Sequence, residues 1–124
     1  MKPVSQLFNN RAGFSATLWS VTPDDTVFDA LKVLAEKGVG ALMVMQKGKL
    51  VGILSERDYT RKVALLGKNS KETFVRDIMT ANVLVISPQT RTHECMAIMS
   101  EKNIRHLPVV DGDTVVGMLS IRDL

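Results

Sequence analysis

Cysteine is almost missing from this sequence: Cys95 is the only one in 124 residues. A single thiol excludes an internal disulfide and fits a reducing compartment. Aromatic residues make up 5%, too few to build stacking platforms for single-stranded nucleic acid. No apolar run approaches the length of a membrane span. The opening MKPVSQLFNN has no continuous apolar stretch of the kind a secretory signal needs. The expected setting is therefore the cytoplasm, with no membrane partner. Charge of one sign is also scarce. The formal net charge is +3 and the isoelectric point near 9.2, with lysines and arginines scattered among acids. That permits an anionic partner but argues against nucleic acid.

What the sequence does have is repetition. LVGILSERD at 50–58 returns as VVGMLSIRD at 115–123. A shift of 65 residues aligns 21–59 with 86–124 without a gap, and eleven of the thirty-nine pairs are identical. Chance at ordinary composition would give about two. Apolar character persists where identity fails, as at Leu31/Met96, Val33/Ile98, Leu34/Met99 and Ile53/Met118. The chain is two copies of one unit.

Each copy has a readable order. TVFDALKVLAEK carries apolar residues at 27, 30, 31, 34 and 35, a helical stripe. Gly38 follows as a C-cap, with Asn103 in its place in the second copy. ALMVM and LVGIL, split by QKGK, predict a hairpin, as do LPVV and VVGML around DGDT. Ser-x-Arg-Asp then opens a further helix, expected to run to about Leu66 in the first copy. Short apolar runs, ATLWSV and VLVIS, precede each first helix. The order is strand, helix, strand, strand, helix. The boundaries are 1–66 for the first copy, 67–74 for a polar connector and 75–124 for the second, whose final helix is missing. A unit this small cannot hide its sheet alone, so two sheets packed face to face are expected.

The words VRDIMT (75–80), SP (87–88), RHLPVVD (105–111) and VGMLSIRD, with TPDDTV, GVGALMVM and VGILSERDY in the first copy, resemble the tandem CBS-domain pair, or Bateman module, named after cystathionine β-synthase. The likeness covers nearly the whole chain; each word is weak alone, and the ordered, doubled set is strong. It implies an α+β fold of two pseudo-symmetric β-α-β-β-α repeats packed sheet to sheet. It also implies an adenine nucleotide in the inter-repeat cleft (AMP by default, with ATP, ADP or NAD(H) as alternatives), a homodimer, and regulation of a separate, unidentified protein. One departure is the first copy's lead-in, VSQLFNNRAGFSATLWS, which is longer than its counterpart and leaves its first strand hard to place.

The Ser-x-x-Asp word supports two compatible readings. Ser55 and Asp58 (and Ser120 and Asp123) have the spacing of a capping box, each answering the other's amide. A helix start is also a seat for phosphate, and Arg57 and Arg122 add a guanidinium fork beside it. The resemblance assigns the ribose hydroxyls to Asp58 and Asp123. Arg61 lies four residues after Arg57 and joins Lys62 in a basic patch, either phosphate partners or a solvated face paired with Glu56 and Asp58. Arg105 is expected at the phosphate and His106 as a polar wall of the pocket, unless His106 is a core histidine. Ala41, Leu42, Leu107 and Pro108 would flank the adenine, and also suit the core.

Metal and enzyme readings fare worse. His93 and Cys95 point about 200° apart on a helix, and further ligands are lacking. Cys95 matches Ala30 and reads as a small buried hydrophobe, with Met96, Met99 and Met118 at core positions too. No catalytic triad order, P-loop or paired-glycine fingerprint is present. No catalytic cofactor is expected. The competing function is a dimerisation module with no ligand.

Overall fold

The structure, a computed structural model, describes residues 2–9 and 19–124. In chain order the elements are α1 (Val4–Asn9), β1 (Ser20–Val21), α2 (Val27–Lys37), β2 (Ala41–Gln46), β3 (Lys49–Ser55), α3 (Glu56–Tyr59) running into a π-helical turn (Thr60–Ala64), α4 (Val75–Ile78), α5 (Thr92–Lys102), β4 (His106–Asp111), β5 (Thr114–Ser120) and a 3₁₀ turn (Ile121–Asp123). The fold is α+β and divides into two compact units. One is Trp19–Val83; the other joins Met1–Leu18 to Leu84–Leu124.

In the first unit β1 runs parallel to β2, and β2 pairs antiparallel with β3. The hairpin turns at Lys47 and Gly48, both at positive φ, as a two-residue turn matched to strand twist requires. Helix α2 starts at Thr26, whose hydroxyl accepts from the Asp29 amide at 3.1 Å, and ends at Gly38 in the left-handed region. Its buried face is Val27, Ala30 and Leu34, which pack with Val21, Leu42, Val44, Leu54, Val63, Val75 and Ile78. Ala35, expected on that stripe, is exposed. In the second unit β4 and β5 repeat the hairpin, Asn103 takes the left-handed cap, and Cys95, Met99, Leu107, Val109 and Leu119 form the core with Val4 and Ile86. Both hairpins carry an irregularity at the same place, Val44/Met45 and Val109/Val110.

Three expectations need correction. The helix after β3 is regular for one turn only; the chain then widens, and the Leu65 amide bonds to the Thr60 carbonyl at 3.0 Å. VLVIS forms no strand: Ile86 alone bridges Val109, while Leu84 and Val85 are exposed. Met96 is 51% exposed and is not a core residue. The run ATLWSV lies in part outside the described residues; its end, Ser20–Val21, is β1.

The lead-in segments change partners. VRDIMT, which opens the second copy in sequence, packs on the first copy's hairpin. The Val75 and Arg76 amides bond to the Asp25 and Pro23 carbonyls, and Ile53 and Thr80 exchange both backbone hydrogen bonds at 2.8–3.0 Å. Arg76 is also ion-paired with Asp24. In the other unit the Val4 and Ser5 amides bond to the Thr90 and Pro88 carbonyls, and Thr92 N donates to Lys2 O. Asp25 and Thr90, and Pro23 and Pro88, are 65 apart, so Val4 is the counterpart of Val75. The two lead-ins therefore match at an offset of 71, six more than the repeat, which places VSQLF on VRDIM.

Candidate functional site

Strand register decides what the repeated word sits beside. In the first unit Ala41 lies opposite Ser55, and the Glu56 amide bonds to the Gly40 carbonyl at 3.0 Å. In the second His106 lies opposite Ser120, and the Ile121 amide bonds to the Arg105 carbonyl at 2.9 Å. Each Ser-x-Arg-Asp word thus turns back over the start of the preceding strand. Ser55, Arg57 and Asp58 come together with Ala41; Ser120, Arg122 and Asp123 come together with Arg105 and His106.

The capping box is present in both copies, tighter in the first. The Ser55 amide and hydroxyl both donate to Asp58 Oδ2, at 2.9 and 3.1 Å, and Ser55 Oγ accepts from the Asp58 amide at 3.1 Å. In the second copy the Ser120 amide donates to Asp123 Oδ2 at 2.7 Å, and Ser120 Oγ accepts from the Arg122 amide at 3.0 Å. The shorter 3₁₀ turn brings the Arg122 amide, one residue nearer than Asp123, to that oxygen.

Lys62 sits between two partners. Its Nζ stands 3.1 Å from Asp58 Oδ1 and donates to the Ile78 carbonyl at 2.9 Å. The i,i+4 pairing with Asp58 was legible as the alternative reading of the patch. The Ile78 contact was not, because nothing in the sequence brings α4 beside the π-helical turn. Arg61, Arg105 and Arg122 are exposed, and Arg57 and His106 are half-buried. Ala41, Leu42, Leu107 and Pro108 are buried, so the core half of their double reading holds in each unit. Among the described residues no buried side-chain nitrogen or oxygen lacks a hydrogen-bond partner.

Cys95 is buried in the core of its unit. Burial pushes its thiol up, and the neighbouring Glu94 charge pushes the same way, against a backbone hydrogen bond that lowers it. His93 is exposed while Cys95 is not, so the two share no face. Among the described residues no group of three or more His, Cys, Asp or Glu could hold a metal ion, and no helix is long and apolar enough to cross a membrane.

Comparison with known proteins gives a consistent picture. The CBS domain family model matches residues 15–65 and 75–124. A mitochondrial CBS domain-containing protein of Arabidopsis thaliana, CBSX3, is 43% identical over 112 residues, 86% of this chain and 54% of the relative; the chain spans about half that protein's length. The structure of a CBS-domain protein from Burkholderia ambifaria, assigned to signal transduction, superposes with a TM-score of 0.95 at 46% identity, covering 98% of this chain and 90% of that one. Two more distant structures, each 26% identical, contain ligands. One is a CBS domain protein of Pyrobaculum aerophilum complexed with AMP (TM-score 0.84, covering 99% and 90%). The other is the CBS domain pair of MJ0100 with 5′-methylthioadenosine and S-adenosyl-L-methionine (TM-score 0.83, covering 99% and 92%).

Proposed function

The chain belongs to the CBS-domain family, and from that premise we propose that it is a regulatory module that binds an adenine nucleotide and passes its occupancy to a separate protein. AMP is the first choice of ligand; ATP and NAD(H) are the longer alternatives. The observation that carries the reading is a doubled arrangement. In each copy the Ser-x-Arg-Asp word, with its acid and its arginine, begins against the start of one strand. An acid there suits two ribose hydroxyls, and a guanidinium suits phosphate oxygens. The AMP and adenosyl ligands of the two relatives support the choice of compound.

In this proposal Asp58 or Asp123 takes the ribose, with Ser55 and Ser120 holding those carboxylates in place. Arg57, Arg61, Arg105 and Arg122 take the phosphates. Leu42 and Leu107 are wholly buried, so in whichever copy is occupied the adenine meets the rim of that copy's own strand, with His106 as the polar wall in the second. The proposal assigns the chain no catalysis. The buried free thiol of Cys95 favours a reducing compartment, the cytoplasm in this reading.

A melting scan against adenine nucleotides tests the proposal. A ligand at a hundred times its dissociation constant adds about 2.7 kcal/mol to stability. No shift with any of them at millimolar concentration overturns it. Asp58→Ala and Asp123→Ala, measured singly, tell which copy is occupied.

A second reading, dimerisation without a ligand, is favoured by one observation. Leu65 and Leu66 stand 75% and 62% exposed after the π-helical turn, an apolar pair suited to cover by a second copy. A dimer mass that falls to the monomer in Leu65→Glu, with no nucleotide response, would decide for it.

A further inference from the structure

We infer that Lys62 is a positioning residue for the ribose-binding acid of the first copy, and that its ammonium ties that acid to the lead-in segment of the second. The inference rests on the proposed ribose role of Asp58. The Asp58 side chain is only 13% exposed, whereas that of Lys62 is 44% exposed. Covering a carboxylate this far calls for compensation of its charge. Ser55 supplies two neutral donors, both to Oδ2. Oδ1 takes its charge-assisted partner from Lys62 at 3.1 Å. The carboxylate is thereby fixed in rotation: one oxygen turned to its own helix start, the other held at a known point.

The second contact gives Lys62 more than a local role. Its Nζ also donates to the carbonyl of Ile78, the last residue of α4, at 2.9 Å. Helix α4 belongs to VRDIMT, from which the chain continues through Thr80 and Val83 directly into the second copy. An ammonium has three donors; two are committed, one on the acid and one on that segment. With Oδ1 held by Lys62 and Oδ2 by Ser55, the carboxylate meets a ribose already oriented, so loss of the ammonium costs affinity. The π-helical turn that carries Lys62 is a geometry found often at functional sites.

Affinity for two probes, AMP and adenosine, separates this role from the phosphate role. Lys62→Met is expected to weaken both by about the same factor, on the order of tenfold, the scale of one charge-assisted hydrogen bond, and Lys62→Arg to restore most of it. Lys62→Met placed on Asp58→Asn is expected to add little further loss. Weakening of AMP alone would make Lys62 a phosphate ligand and overturn the inference. So would unchanged affinity for both beside a lowered melting temperature, which marks a structural brace, or full additivity with Asp58→Asn. A wild-type chain that binds neither compound fails at the parent reading and carries this one down with it. Where Lys62→Met does not fold, Lys62→Gln takes its place with the same expectations.

Discussion

Gly52 lies directly beneath Met79: a Cβ at residue 52 would stand 2.6 Å from the Met79 Sδ and 3.1 Å from both its Cγ and the Thr80 carbonyl oxygen. The glycine shared by the two VG words is thus, in the first copy, the place where the lead-in crosses β3. Gly52→Ala forces either the thioether or the Thr80 backbone to move, and Thr80 is fixed by its two bonds to Ile53. The expected loss is about 1–3 kcal/mol, the range for overpacking. Urea unfolding checks it, and Met79→Ala in the same chain is expected to recover part of the loss by removing the flexible half of the clash.

The exchange of lead-ins makes the amino terminus important. Val4 is fully buried, as is its counterpart Val75. Val4→Ala and Val75→Ala are each expected to destabilise by about 1–3 kcal/mol, whereas exposed Lys2→Ala is expected to be near neutral. Equilibrium unfolding of the three variants decides it. An amino-terminal segment that merely trails would leave Val4→Ala as silent as Lys2→Ala.

These two cases show what the sequence could and could not reveal. The offset of 65, both hairpins and both left-handed caps were legible because each rests on local chemistry: alternating apolar runs, turn glycines, a Gly or Asn after a helical stripe. The offset of 71 that matches Val4 to Val75 was not, because the pairing is carried by backbone amides to Pro88 and Thr90 and by Pro23 and Asp25 in the other unit, which leave little trace in side-chain identity. The VLVIS strand failed for a related reason. An apolar run becomes a strand only where a partner edge accepts it, and there only Ile86 finds one. Met96 shares its register with Leu31, yet α5 leaves it exposed while Leu31 packs against the core. At the site, the Ser-x-Arg-Asp word could be placed from sequence, but the tie from Lys62 to Ile78 depends on tertiary contact alone.

The two serines are expected to differ in strength. Ser55 receives the Asp58 amide and donates to its carboxylate, closing the box from both sides. Ser120 accepts from the Arg122 amide, one residue nearer. Ser55→Ala is expected to cost about 1 kcal/mol, the usual value for a lost N-cap, and Ser120→Ala less, since a short 3₁₀ turn has fewer amides to satisfy. Thermal melts of both variants test the order; equal shifts would mean that the two caps carry the same weight despite their geometry.

Cys95 supplies a dependence on alkaline pH. Its thiol is raised in the folded chain above the ordinary value of 9.0 by burial, then by Glu94. For an acid raised on folding, the unfolded chain gives up its proton first, so above about pH 9 the unfolded state binds fewer protons and stability falls as pH rises. Below that pH the thiol is neutral in both states and contributes no slope. Unfolding free energies of wild type and Cys95→Ala between pH 7 and 10.5 isolate this term, because the two proteins differ only at residue 95. The expected result is a difference between the two that is constant to about pH 8.5 and then narrows as the wild type loses stability faster. A difference that stays flat to pH 10.5 would mean that the Cys95 thiolate is as well accommodated in the folded core as in the unfolded chain.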